Sequence, residues 1–430
     1  MRSNLGLVSA TTLLLSLSAL PSSAGQGPQL VGSEFRVNLN TESQQRNPVA
    51  AWNPAGGALV VWENDHNGLR GRLFGADGTS QSDELELVAN QVLPSIPGDG
   101  PVTTRRDPAV AFLPSGDFLL VWAEEVGHLE STIFFESLAI GTRDIFIARF
   151  NGAGQPASKR FRVSLNNAGL KSRPQIAVRP GGDALVVWMN QTRRGGPTAD
   201  DGIFGRVVTA TSRPTGPEFK VSTSPGTFAE TPVLAVDPSG SFLVAWESRP
   251  AGTAYGTAIF ARQFDATGAA LASDFRVDSG VTGPQRRAAA ASDGKGAFLV
   301  VWQGFFENVS QARIFGQRIN GSGHLIGSQA QISKGYGTAQ ISPSVAAAPH
   351  QTFIVTWMDY EKWFPLGMAG VQVDGRGTAL SNELWINDHQ IGAKLRTSLA
   401  SDGAGKYLAP YESFFDASNL GISARRFDTD

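Results

Sequence analysis

The 430-residue chain sets 36 Lys and Arg against 38 Asp and Glu, and 41% of its residues are hydrophobic. Near-balanced charge offers no basic field for nucleic acid or an anionic bilayer, and that much apolar content excludes a disordered polymer. With no Cys, disulfides, thiol catalysis and thiolate-bound metals are excluded, while 49 Gly and 24 Pro point to a turn-rich, all-β chain.

Residues 1–24 read as a secretory signal peptide. Arg2 is the positive start, Leu5 to Leu20 is mostly apolar, and Ser22-Ser23-Ala24 places small side chains before Gly25. The apolar run is short for a bilayer span, and no Cys follows it for lipid attachment. The expectation is a secreted or periplasmic protein whose mature domain covers 25–430.

From there a four-segment repeat fills the chain. An apolar strand ends in an aromatic seven times, at Trp62, Trp122, Trp188, Trp246, Trp302, Trp357 and Tyr411. Fourteen residues before each aromatic a first segment opens, at Pro48, Pro108, Pro174, Pro232, Ala288, Pro343 and Thr397. Turns such as LPSGD, RPGGD and DPSGS join the two, which is hairpin chemistry. A third segment follows (LRGRLF, IFIARF, IFGRVV, IFARQF, IFGQRI, MAGVQV, ISARRF), and then a fourth (LEL, FRV, FKV, FRV, AQI, LWI). Short β-branched or aromatic segments bounded by Gly, Pro, Asn and Asp are strands. Four per repeat of about fifty-five residues predict a seven-bladed β-propeller. The seventh repeat lacks its fourth segment, and EFRVN at Glu34–Asn38 supplies one, so an N-terminal strand is expected to complete the last blade and remove two open edges.

The pattern resembles the propeller repeats of secreted bacterial proteins and, more loosely, WD-repeat rings in its strand-swap closure. The resemblance covers essentially all of the mature chain and implies a scaffold, with no functionally named family. The WD dipeptide is absent, as are the Ser-x-Asp-x-Gly-x-Thr-Trp boxes of sialidase-like propellers and the Trp-docking motifs of quinoprotein dehydrogenases.

With strands lettered a to d, the a–b and c–d spacings are constant, and length varies in the b–c and d–a connections, which share one face. Two insertions, roughly Ala89–Asp107 and Ala123–Asp144, belong to blade 2 and are read as a pair of loops above that face. Function is therefore expected there, since variable loops on a rigid frame carry binding groups. The blade Trp residues are read as core. The loop aromatics Tyr255, Phe305, Phe306, Tyr360, Trp363, Phe364, Phe414 and Phe415 are read as a ligand surface or as loop packing. Arg46, Arg106, Arg173, Arg287 and Arg396 stand just before strand a, where they would crowd the axial channel and bind an anion bidentately, or pair with a neighbouring blade's carboxylate. His128, among Glu124, Glu125 and Glu130, is a candidate base or ligand contact. No HExxH or EF-hand loop is present, and DATG, NGSG and DGRG read as turns, so no cofactor or metal is expected.

Two functions follow. The first is an exported binding module for an extracellular carbohydrate or protein, with Arg106, Arg173, Arg287, Tyr360, Trp363, Phe364 and His128 as ligand contacts. The second is a polysaccharide hydrolase or lyase with its site on the same face.

Overall fold

The computed structural model describes residues 27–92, 101–132, 135–166, 168–192, 198–224, 227–250, 256–279, 283–306, 311–335, 337–361, 364–388, 394–416 and 419–429. The signal-like segment therefore lies outside the described residues. Among them, antiparallel strand pairing repeats as four-stranded units, numbered as blades 1 to 7, with an additional short strand, Gln91–Val92, on blade 2. Blade 1 is Gln45–Trp52, Ala58–Asn64, Gly68–Phe74 and Leu85–Val88, hydrogen-bonded in that order. In blade 7 the order is Lys394–Thr397 with Ala400–Ser401, then Lys406–Asp416, Asn419–Asp428 and, outermost, Gln29–Arg36 from the other end of the chain.

Two repeated contacts show that Gln29–Arg36 occupies an ordinary fourth-strand place. Just past strand d, a polar side chain accepts the N–H that opens strand c: Ser222 for Ile203 at 2.9 Å, Ser333 for Ile314 at 2.9 Å, Asn387 for Met368 at 2.6 Å, and Asn38 for Ile422 at 2.8 Å. An arginine on strand c also clamps the preceding blade's strand d. Arg206 donates to the Val163 carbonyl at 2.9 Å, Arg262 to Val221 at 3.1 Å, and Arg72 to Val37 at 3.0 Å.

The ring closes through its core. Each hydrophobic cluster straddles two neighbouring blades, and the set runs continuously from the blade 1–2 junction round to Val37, Trp62, Leu408 and Ile422, which join blades 7 and 1. Each blade aromatic fills the junction with the blade before it and is at most 1% exposed. Their core reading holds. The Trp62 and Trp302 indoles donate to Gln45 and Gln285 at 2.7 and 2.8 Å, so the polar edge is satisfied inside. Small residues in the third segments have a packing reason: a Cβ at Gly71 would lie 2.7 Å from the Leu87 side chain on strand d, and one at Gly316 2.7 Å from the Ile332 side chain just past it.

Two expectations change. Strand a begins earlier than predicted, at Gln45 rather than Pro48 in blade 1, because a bulge interrupts it in every blade and shifts the alternation by one residue. A period-two reading detects only the half after the bulge. The blade 2 insertions, in their described residues, form strands where loops were expected. Pro101–Phe112, Phe118–Thr132 and Phe135–Phe150 continue the blade's own ladders, out to Thr132 opposite Phe135. Opposite charges face each other across those ladders. Arg105 pairs with Glu124 at 3.3 Å and Arg143 with Glu125 at 2.6 Å, which fixes the register of an otherwise polar extension. No helix among the described residues is long and apolar enough to cross a membrane.

Candidate functional site at the axial mouth

The bulges build the site. In each blade the bulged residue of strand a takes a left-handed conformation, at Asn47, Asp107, Arg173, Thr231, Arg287, Ser342 and Arg396, with φ between 44° and 53°. Asn and Asp tolerate this region, whereas Arg and Thr adopt it at a cost of about 1 kcal/mol or more. The turned backbone points its N–H toward the preceding blade. At four junctions the residue after the blade aromatic accepts it: Glu63 from Asp107 at 2.6 Å, Glu247 from Arg287 at 2.8 Å, Gln303 from Ser342 at 2.9 Å, and Glu412 from Asn47 at 2.7 Å. Blade 2 has Ala123 at that place, and Asp107 Oδ2 takes the Arg173 N–H instead, at 3.1 Å. Strand a pairs here with the end of strand b, as Arg46 does with Glu63. The ring therefore lies at the end of the axis where the variable b–c and d–a connections meet.

The five predicted arginines reach this ring, but not at one equivalent place. Arg173, Arg287 and Arg396 hold the bulge position, whereas Arg46 and Arg106 come one residue earlier, and all five lie within or at the bulge of strand a rather than before it. Arg46 sits 3.8 Å from Asp65, both exposed. The Arg173 guanidinium has no hydrogen-bond or ion-pair partner among the described residues. Arg287 bonds only the Ser342 hydroxyl, and Arg396 stands 4.0 Å from Glu412.

Arg173 and Arg396 lie near enough to Arg287 for their charges to act on it. Burial lowers Arg287 from the ordinary guanidinium value. Repulsion by Arg396 and, more weakly, by Arg173 lowers it further, while Glu247 and Tyr360 oppose the shift. Arg173 and Arg396 belong to blades 3 and 7, neither of which adjoins blade 5, so the three cations converge across the axis. Arg287 is solvent-exposed yet surrounded by protein, the situation of a side chain in a wet channel. Tyr360, half-buried on strand b of blade 6, lies in the same field. Burial raises its hydroxyl pKa, Arg287 lowers it, and Glu412 raises it.

Among the arginines stand buried carboxyls that the sequence reading missed. Glu63 is 7% exposed, and one oxygen accepts both the Asp107 N–H and the Asn47 side-chain amide, the latter at 2.7 Å. Burial pushes its carboxyl from 4.5 up to about 7, against those two hydrogen bonds, with Asp107 raising it and Arg106 lowering it. Burial likewise raises Glu412, opposed by its bond to Asn47 and by Arg396 and Arg46. The signal was present in the sequence as the residue after four of the seven aromatics: Glu63, Glu247, Gln303 and Glu412.

These shifts have a stability consequence. Glu63 gains affinity for its proton on folding, so its contribution is fully present below pH 4.5 and is lost as pH rises through about 7. At about 1.4 kcal/mol per unit the loss totals about 3 kcal/mol. Glu63→Gln is thus expected to match the parent at pH 4.5 and to exceed its stability by about 3 kcal/mol at pH 8.5 in urea unfolding. A constant difference across that range would contradict the assignment.

The other predicted contacts separate. His128 lies on strand b of blade 2, with its backbone opposite Pro101 and Ala139, and its side chain is outside the described residues. So is Trp363, with Tyr255. Phe364 opens strand c of blade 6 opposite Glu361, again with its side chain outside. Phe306 is 37% exposed and meets Phe315 edge-on at 6.1 Å, and Phe414 is 50% exposed. No group of acids and histidines that could hold a metal occurs among the described residues.

No family model matches the chain, and no curated protein does. Solved structures do share its architecture. A Dyadobacter fermentans protein of unknown function aligns over 94% of this chain and 100% of its own, with a TM-score of 0.54 and 9% identity. The polysaccharide lyase Uly1 aligns over 95% of both chains, with a TM-score of 0.53 and 8% identity. The intramolecular trans-sialidase of Ruminococcus gnavus covers 80% of this chain and 98% of its own, with a TM-score of 0.50 and 9% identity. At such identities the likeness establishes the all-β propeller fold and nothing finer.

Proposed function

We propose that the chain is an exported binding module, residues 1–24 directing export and 25–430 forming one propeller, and that its axial mouth captures a negatively charged ligand. The observation that carries this reading is the convergence of Arg173, Arg287 and Arg396, whose mutual repulsion no full set of carboxylate partners relieves. An anion placed among them would relieve it and could take bidentate hydrogen bonds. A carboxylated or sulfated saccharide fits, because Tyr360 adds a half-buried ring and hydroxyl beside Arg287, and because a polysaccharide lyase and a trans-sialidase are built on the same fold. Arg106, Trp363, Phe364 and His128 belong to the same proposal as contacts from the surrounding segments.

A second reading is cleavage of such a saccharide. It is favoured by Glu63, a carboxyl poised near neutrality at the same mouth. Product release in a polysaccharide screen separates the two.

Sulfate or a galacturonate oligomer should raise the melting temperature in proportion to the logarithm of its concentration, by the equivalent of about 2.7 kcal/mol at a hundredfold excess over Kd. Arg173→Ala combined with Arg287→Ala is expected to erase that response while leaving the unliganded protein folded. An unchanged response in the double variant would contradict the placement of the site.

A further inference from the structure

We infer that anion capture at the axial mouth is coupled to uptake of one proton, and that Glu63 carries it. This rests on the anion-binding reading above. Glu63 is wedged between strands a of blades 1 and 2, and both of its donors, the Asp107 N–H and the Asn47 amide, converge on Oε1. Oε2 accepts no hydrogen bond among the described residues, which leaves it free to hold a proton. The step is simple: the carboxylate takes a proton from solvent, and no other bond is made or broken.

The charged groups around it make that proton matter. Asp107 and Arg106 face Glu63 from blade 2. Arg46, with Asp65 and the exposed His66, flanks it on blade 1. Glu412 of blade 7 reaches it through Asn47, and Arg173 of blade 3 through Asp107. The ionised Glu63 stands with Asp65, Asp107, Glu247 and Glu412 against Arg46, Arg106, Arg173, Arg287 and Arg396, acids and arginines interleaved around the ring. Protonation of Glu63 removes its charge and leaves the mouth net cationic. The carboxyl lies near 7, within reach of solution pH. A bound anion must hold the proton more tightly, since the coupling is reciprocal. Two unit charges about 10 Å apart at an effective dielectric near 20 correspond to roughly tenfold in affinity.

The test is calorimetry of the full mature protein with two probes, sulfate and trigalacturonate, both ionised throughout the range used. Affinity at pH 5.5 should exceed that at pH 8.5 by about tenfold. Titrations at pH 7.5 in two buffers of different ionisation enthalpy should show net proton uptake, a measurement that needs no variant. Glu63→Gln should bind at pH 8.5 as tightly as the parent does at pH 5.5, with no pH dependence, whereas His66→Gln should keep the parental profile. Binding with equal affinity at both pH values and no proton uptake overturns the coupling and leaves the anion site standing. Persistence of the pH dependence in Glu63→Gln, or its loss in His66→Gln, overturns the assignment to Glu63. Failure of both probes to bind at any pH overturns the anion site, and the coupling with it.

Discussion

Removal of residues 27–40 is expected to abolish cooperative folding of the monomer. The segment does more than cover an edge. Gln29–Arg36 pairs along Asn419–Asp428 from Asp428 to Ser423, and Val37, fully buried, belongs to the core between blades 7 and 1. It is latched on both flanks. Glu84 accepts the Leu39 N–H at 2.8 Å, and the Arg72 guanidinium grips the Val37 carbonyl on the blade 1 side. On the blade 6 side, Asp388 accepts the Glu34 N–H at 2.9 Å. Truncation would therefore open one blade junction and expose an unpaired strand, a template for association between chains. The measurement is thermal unfolding followed by sedimentation. The expected result is aggregation or loss of the transition, reversed by adding a peptide of residues 27–40 in trans. A truncated protein that melts as a monomer with the parent's midpoint would show that ring closure contributes nothing.

Trp302→Ala is expected to cost about 3–5 kcal/mol, the range for emptying a large aromatic core site. Trp302 has no exposed surface and packs in the junction of blades 4 and 5, with Phe298, Val300 and Ile319 on its own blade and Ala245, Ile259 and Val277 across the gap. Its indole N–H also satisfies Gln285 Oε1 at 2.8 Å, so truncation strands a buried acceptor as well. Trp302→Phe should fall between the two, keeping most of the apolar contact but losing the hydrogen bond. Both variants should retain the proposed sulfate binding, since the proposed site lies at the bulges, provided binding is measured below their melting temperature. A Trp302→Ala protein of unaltered stability that no longer binds would make this residue a ligand contact and reverse the core assignment.

The blade pattern is legible in the sequence because it is local and repeated. Each Trp-terminated apolar run, its hairpin turn and its small-residue third segment satisfy short-range rules, and the same rules recur along the chain. Even the closure could be read, because EFRVN is the fourth-segment pattern misplaced by the length of the chain. The blade 2 extensions could not, since their strands are polar and are held by ion pairs such as Arg143–Glu125 rather than by apolar alternation.

The site was half legible. Arginines near the start of strand a recur visibly, and that placed cations near the axis. That Arg173, Arg287 and Arg396 meet there, while Arg46 and Arg106 stand one residue aside, depends on a bulge whose left-handed residue no side-chain pattern announces. Glu63 and Glu412 were passed over for a different reason. In sequence each is a polar residue after a core aromatic. Only when the neighbouring blade closes over them do they lose water, gain backbone donors and rise in pKa. Short-range chemistry in the chain was enough to determine the scaffold. The charge state of its mouth was decided by contacts between blades, because desolvation and convergence of like charges arise only once the ring is closed.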